Sequence, residues 1–275
     1  MRPRDPLGLA LIAAVAGATF IAEVSAMRVQ DAAAARHPAL PVIELRQYTL
    51  LPGKRDVLID LFEREFIEGQ EDAGMRILGQ FRDLDRPNRF VWIRGFSDMP
   101  TRARSLAAFY DGPVWQRHRA AANATMVDSD NVLLLRPARA GIGFTVREAL
   151  RPARGATAMP STLVAATIYS FSAPVETGFI ERFERVAKPD IESAGGTVLA
   201  YFVTDDTPNN FPRLPLREGE HVFVWFAAFR DEAACAAHAA RPTWQTILHD
   251  LASRAIGAPE VLRLQPTGRS LVGRS

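Results

Sequence analysis

Arg89-Phe90-Val91-Trp92-Ile93-Arg94-Gly95-Phe96, followed by Asp98 and then Gly112-Pro113-Val114-Trp115-Gln116, has a second version later in the chain. There Val222-Phe223-Val224-Trp225-Phe226-Ala227-Ala228-Phe229 is followed by Asp231 and then Arg241-Pro242-Thr243-Trp244-Gln245. The shared skeleton is Phe-Val-Trp, three residues, Phe, and then Pro-x-Trp-Gln. Two motifs kept in the same order mark an internal repeat, which has to be read before any shorter motif. Working outward, Tyr48-Thr49-Leu50 matches Tyr169-Ser170-Phe171, Phe62-Glu63-Arg64 matches Phe183-Glu184-Arg185, and Ala73-Gly74 matches Ala194-Gly195.

Each copy implies one order of elements. Residues 43–50 alternate and end at the turn pair Pro52-Gly53, which gives a first strand. Val57, Leu58, Leu61, Phe62 and Phe66 then recur at helical spacing, with Gly69 and Gly74 marking the helix end. Residues 76–81 and 90–96 alternate again around the turn-rich 83–88, so they form a hairpin. A helix over 102–122 and a short strand over 131–135 complete a βαββαβ unit. The second copy repeats this with strands over 163–171, 197–204, 221–229 and 261–264 and helices over 175–193 and 232–254. Its hairpin connection, 207–220, is too long for a turn and is a lid or contact loop. The fold class is therefore α+β, with tandem ferredoxin-like repeats at 42–137 and 163–267, linkers at 27–41 and 138–162, and a tail at 268–275. Within the second linker, 143–148 could add a strand. A four-stranded sheet with helices on one face leaves the other face bare, and two such sheets in one chain can cover each other as a pseudo-dimeric α/β barrel. A homodimer is permitted by that argument and not required by it.

Residues 1–26 stand apart. Arg2 and Arg4 precede an apolar run over 7–22, and Val24-Ser25-Ala26 offers small residues where a signal peptidase cuts. As a signal peptide the segment makes the protein exported or periplasmic, with no membrane span left after its removal. If Met27 is the true start, the protein is cytoplasmic. Lys54 and Lys188 are the only lysines, and the arginines are interspersed with acids, so no clustered cationic face for nucleic acid is expected. The lone Cys235 forms no intrachain disulfide and no Cys-x-x-Cys site. No Gly-x-Gly-x-x-Gly, Walker loop, Gly-x-Ser-x-Gly or His-Glu-x-x-His is present, so neither a cofactor nor a metal is implied.

Glu44-Leu45-Arg46-x-Tyr48 with Pro52-Gly53, Gly79-x-Phe81, Trp92, Arg102, Arg104 and the 111–115 segment together resemble the NIPSNAP family, whose domain belongs to the dimeric α/β-barrel superfamily. The second copy departs from the pattern, with Ala165 and Thr167 where Glu44 and Arg46 stand, and Asp111-Gly112-Pro113 differs from the family's simpler Asp-Pro. The resemblance implies a barrel that binds a small molecule or a protein partner, its members being mostly without established catalysis. Elsewhere in the superfamily lie cofactor-independent oxygenases and isomerases, which is the alternative reading.

Alternation places Glu44, Arg46 and Tyr48 on one face of the first strand and Ile43 and Leu45 on the other. If helices cover the apolar face, the polar three look into the barrel, joined by Arg94 from the third strand. The pocket expected is thus Glu44, Arg46, Tyr48 and Arg94, with His118 near its mouth as an acid/base group. A Glu and an Arg two apart on a strand are more often a structural pair than a site. The repeated tryptophans are more often packing than ligand contacts. An enzyme of the alternative kind requires a polar cavity of several hundred cubic ångströms.

Overall fold

The computed structural model describes residues 39–147 and 150–274. The proposed signal segment and most of the first linker lie outside them. Eight strands form one closed antiparallel barrel in the order β1-β3-β2-β8-β5-β7-β6-β4. The strands are β1 Val42–Leu50, β2 Arg76–Asp83, β3 Arg89–Phe96, β4 Met126–Pro137, β5 Leu163–Phe171, β6 Thr197–Thr204, β7 His221–Phe229 and β8 Glu260–Pro266. Each repeat contributes four strands, ordered 4-1-3-2 within its own sheet. The two sheets meet at equivalent seams, Phe81–Asp83 of β2 against Leu264–Pro266 of β8 and Leu135–Pro137 of β4 against Phe202–Thr204 of β6. The barrel is thus closed in cis, as the tandem repeat requires.

The helices lie outside it. In the first repeat α1 Arg55–Leu61 passes through a π-helical turn, Phe62–Phe66, into α2 Ile67–Asp72, and α3 Met99–Tyr110 and α4 Pro113–Asn123 follow β3. In the second, α5 Thr177–Arg182 passes through the π turn Phe183–Ala187 into α6 Lys188–Ser193, with α7 Glu232–Ala239 and α8 Pro242–Ala252 after β7. π turns are often tied to function, but this one falls on the same Phe-Glu-Arg in both copies, so it belongs to the architecture. The single helices expected over 102–122 and 232–254 are each two. Pro113 and Pro242 cannot donate a backbone hydrogen bond into a continuing helix, and each instead sits at the start of a new one. Gly74 (φ +96°) and Gly195 (φ +81°) end the first helical layer in each copy in a left-handed conformation that a side chain would strain.

The alternation pairs the right residues, but the faces are exchanged. Ile43 and Leu45 point into the barrel, where they join Val91, Ile93, Leu133 and Leu135 of the first repeat and Val164, Ile168, Phe202, Val224 and Phe226 of the second in one apolar cluster. Tyr48 and Trp92 lie on the other face, packed under the helices with Phe62, Phe66 and Phe109. The interior of an eight-stranded barrel is only wide enough to be filled by side chains, so it takes the compact aliphatic face. The larger aromatic and polar face is left for the helix layer. The expected polar lumen is therefore corrected to a packed apolar one.

Residues 143–147 of the second linker form no strand; Phe144 packs against Phe202 and Phe226 of the barrel core, while residue 148 lies outside the described residues. The C-terminal segment is fixed in place. Thr267 N donates to Gln80 O (2.9 Å), and Leu271 N and Val272 N both donate to Leu78 O. Leu271 and Val272 join the barrel core, and Arg269 is buried against the backbone oxygen of Glu63 and the carboxylate of Glu68.

Candidate functional site

Antiparallel pairing of β1 with β3 sets Glu44 opposite Arg94 and Arg46 opposite Trp92. Directly opposed side chains on one sheet face are near neighbours, so the register alone brings two of these groups together. Helix α3 adds a third cation. Asp98 caps α3 by accepting from Thr101 N (2.5 Å), and the first turn places Arg102 over the sheet.

One carboxylate then serves three guanidinium groups. Glu44 Oε2 accepts from Arg46 Nη1 at 2.6 Å and from Arg94 Nε at 2.7 Å, and Oε1 accepts from Arg102 Nε at 2.7 Å. All four side chains are at most 1 % exposed. Arg46 Nε donates to the Tyr48 hydroxyl (3.1 Å) and Arg94 Nη1 donates to Gln70 Oε1 (3.1 Å). Both guanidinium groups also stand over Trp92, at 5.3 Å and 5.1 Å from the ring centroid, so the indole face takes up part of their charge.

The charges do not balance. Burial of a charge costs several kcal/mol unless it is paired and hydrogen-bonded, and one carboxylate against three guanidinium groups leaves a surplus of cation. Arg102 carries the deficit most visibly: its Nη2 is buried with no hydrogen-bond partner, and its Nη1 reaches only neutral amide oxygens, Asn210 Oδ1 (2.7 Å) and Asn209 Oδ1 (3.2 Å). Burial, with repulsion from Arg94 and Arg46, lowers the pKa of Arg102 from its usual value despite Glu44. For Glu44 burial works upward, but Arg94, Arg46 and Arg102 together hold its carboxyl well below the usual carboxylate range. Burial pushes the Tyr48 hydroxyl up, against the opposing effect of Arg46. At neutral pH Glu44 is therefore ionised and Tyr48 protonated. Neither is set to exchange a proton.

The two asparagines come from the other repeat. They sit in the long β6–β7 connection, which folds across the first repeat's helix layer as a strap. Asn210 Nδ2 donates to Met99 O (2.6 Å), Phe211 stacks on Tyr110 (6.1 Å between centroids, 30° between planes), and Arg213 pairs with Asp111 at 2.7 Å. Beside the cluster, Tyr48, Phe62, Gln70, Trp92, Tyr110 and Trp115 border a void of about 30 Å3.

Of the residues expected at the pocket, Glu44, Arg46, Tyr48 and Arg94 come together, under the helices and not in the lumen. His118 does not join them. It lies on α4 with Nε2 3.7 Å from Glu65 Oε2 and its ring against Phe66, and no hydrogen bond or ion pair links it to the arginines. Arg102, Gln70, Asn209 and Asn210 were not expected there. A signal for Arg102 did exist, since a cation in the first turn opposes the helix dipole and needs a reason to be there. Among the described residues there is no group of His, Cys, Asp and Glu fit to hold a metal, and no helix long and apolar enough to cross a membrane.

The second repeat has no such cluster. The register sets Ala165 opposite Ala227 and Thr167 opposite Trp225, and Cys235 stands as far beyond its cap Asp231 as Arg102 stands beyond Asp98. Ala165, Thr167, Ala227 and Cys235 thus replace Glu44, Arg46, Arg94 and Arg102.

The NIPSNAP family profile matches residues 43–140. An uncharacterized NIPSNAP-like domain protein from Burkholderia xenovorans is 30 % identical over 37 % of this chain and 87 % of its own, with a TM-score of 0.33. Along nearly the whole chain the similarity is one of fold. A proposed monooxygenase from Fusobacterium nucleatum superposes with a TM-score of 0.53 at 13 % identity, over 86 % of this chain and 97 % of its own. An anthrone oxidase-like protein superposes with a TM-score of 0.50 at 14 % identity, over 85 % and 94 %. No curated protein matches the sequence.

Proposed function

Since this chain belongs to the NIPSNAP family through its first repeat, we propose that it is a binding protein for a small carboxylic acid, taken up by the arginine cluster of that repeat. The observation that carries the reading is the surplus of buried cation: Arg46, Arg94 and Arg102 around Glu44 alone, with Arg102 Nη2 lacking an acceptor. A planar guanidinium fork matches a carboxylate in two parallel hydrogen bonds. The oxygens of Asn209 and Asn210 occupy the place such a ligand would take, as weaker neutral acceptors. Displacing the strap would exchange them for a charged acceptor on Arg102.

Binding fits the site better than catalysis. General acid–base work needs a group that titrates near the working pH, whereas Glu44 is held ionised and Tyr48 protonated. His118 stands apart. The apolar filling of the barrel removes the polar lumen that a cofactor-independent oxygenase or isomerase would use.

Calorimetric titration with benzoate, and with benzamide as its uncharged isostere, tests this. The expected result is heat and saturation for benzoate alone, with affinity reduced roughly tenfold or more in Arg102→Met, since hydrogen bonds to charged groups are worth about 1.5–3 kcal/mol. Equal binding of benzoate and benzamide, or an unchanged affinity in the variant, would count against it.

A further inference from the structure

The four polar side chains that fill the sheet–helix space of the first repeat become two alanines, a threonine and a cysteine in the second, and the space they give up is open. A cavity of about 160 Å3 lies there. Its wall includes Ala165, Thr167, Trp225, Cys235, His238 and Trp244. A cavity near this size holds one aromatic ring; Thr167, His238, Gln245 and Arg263 add polar groups to its wall.

One polar group in that wall bears on what it accepts: His238, 4 % exposed, with Nε2 3.3 Å from Asp190 Oδ2. Asp190 also receives Arg241, at 3.3 Å, and the Thr243 hydroxyl, so it is the acceptor of this pair and His238 Nε2 carries the proton. Neutral imidazole then presents Nδ1 as an acceptor. Burial lowers the His238 pKa against the effect of Asp190, which keeps the ring neutral at pH 7.

We propose that this second-repeat cavity binds a phenol: the ring fills the room left by Ala165, Thr167 and Cys235, and the hydroxyl donates to His238 Nδ1. The ligand class differs from that of the first repeat because Arg263, the cation in this wall, is already paired with Asp85 and Glu232, whereas Arg46, Arg94 and Arg102 outnumber Glu44 in the other copy. Cys235 and His238 are three residues apart on α7, and with Asp190 they suggest a nucleophile with its base. The thiol does not support that role: burial pushes its pKa up, and Arg263, Glu232 and Asp85 act on it while His238 does not. The site is one of reversible binding.

Cys235 is the chain's only cysteine, so it reports on the cavity directly. The full-length protein is titrated with phenol and with toluene, and the rate of Cys235 modification by methyl methanethiosulfonate is followed by mass. Phenol should bind with Kd of about 0.1–1 mM, in keeping with the limits for so small a ligand, bind more tightly than toluene, and slow the modification by about fivefold or more at saturation. His238→Leu should weaken phenol about 5- to 10-fold, as for one lost hydrogen bond, and affect toluene much less. Ala165→Leu should abolish both. Unaltered Cys235 reactivity at saturating phenol overturns the site, and this holds even if Ala165→Leu fails to fold. Toluene binding as tightly as phenol overturns the hydrogen-bonding part of the proposal.

Discussion

Replacing Glu44 by Gln isolates the electrostatics of the cluster, because it changes one charge and almost no volume. In the native protein Glu44 accepts from Arg46, Arg94 and Arg102 at 2.6–2.7 Å, and none of these groups is more than 1 % exposed. The amide keeps one acceptor oxygen, loses the charge, and turns an N–H2 toward cations. Breaking a buried pair from one side costs about 3–5 kcal/mol, since the remaining charge is stranded; here three cations would be stranded, offset in part by Trp92 beneath two of them. Urea unfolding followed by far-UV circular dichroism should therefore show a loss of about 3–5 kcal/mol with an unchanged slope. Replacing the group together, as Glu44→Leu with Arg46→Met, Arg94→Met and Arg102→Met, should lose much less, because apolar substitutes for a buried ionic cluster are often neutral. The second repeat already exists in that uncharged form. A loss below about 1 kcal/mol in Glu44→Gln would refute the reasoning, since it would mean that water reaches the cluster.

Other consequences are read in the same way. Glu44 has its folded pKa below the usual 4.5 of a glutamate, so its contribution is complete above that pH and is lost as pH falls below it; the acid-side slope of stability should be shallower in Glu44→Gln. His238, with its pKa lowered from 6.5 by burial in spite of Asp190, likewise contributes stability above pH 6.5 that is lost on acidification, and a pH titration of stability in His238→Gln should lack that inflection. Deletion of residues 267–275 removes the hydrogen bonds to Gln80 and Leu78 and uncovers Glu63. Melting should fall by several degrees, and an unchanged melting temperature would show that the segment is dispensable. Phe226→Ala, in the middle of the packed barrel at 0 % exposure, should cost about 3–5 kcal/mol in urea.

The sequence carried the fold well because the repeat is written in packing residues. Trp92 and Trp225, Phe62 and Phe183, and the two Pro-x-Trp-Gln runs occupy equivalent places in the two halves. Alternation also grouped Glu44, Arg46 and Tyr48 correctly. It could not say which face meets the helices, because both faces of β1 are buried and a period of two is the same read from either side. That choice depends on the volume available inside a closed eight-stranded barrel, a property of all the strands together. Arg102 was marked by the family pattern and by its place in a first helical turn, but the sequence did not say which strand that turn covers; Asn209 and Asn210 were hidden altogether, since they reach the site from the other repeat. His118 was misplaced for a simpler reason: adjacency to Trp115 on one helix does not fix which way the imidazole faces. The asymmetry between the copies was visible in the sequence as charge lost at Ala165, Thr167 and Ala227. Its consequence, a cavity in the second repeat, required the packing.

The account's central claim is that the two sheet–helix spaces of one barrel are specialised, the first for an anion on Arg46, Arg94 and Arg102 and the second for a neutral ring beside Trp225. A crystal structure of the protein grown with benzoate and phenol together tests it most directly. The account predicts benzoate on the three arginines with Asn209 and Asn210 drawn away from Arg102, and phenol between β5 and α7 beside His238. Benzoate in the second repeat, or an unaltered strap over an arginine cluster that holds no ligand, would contradict it.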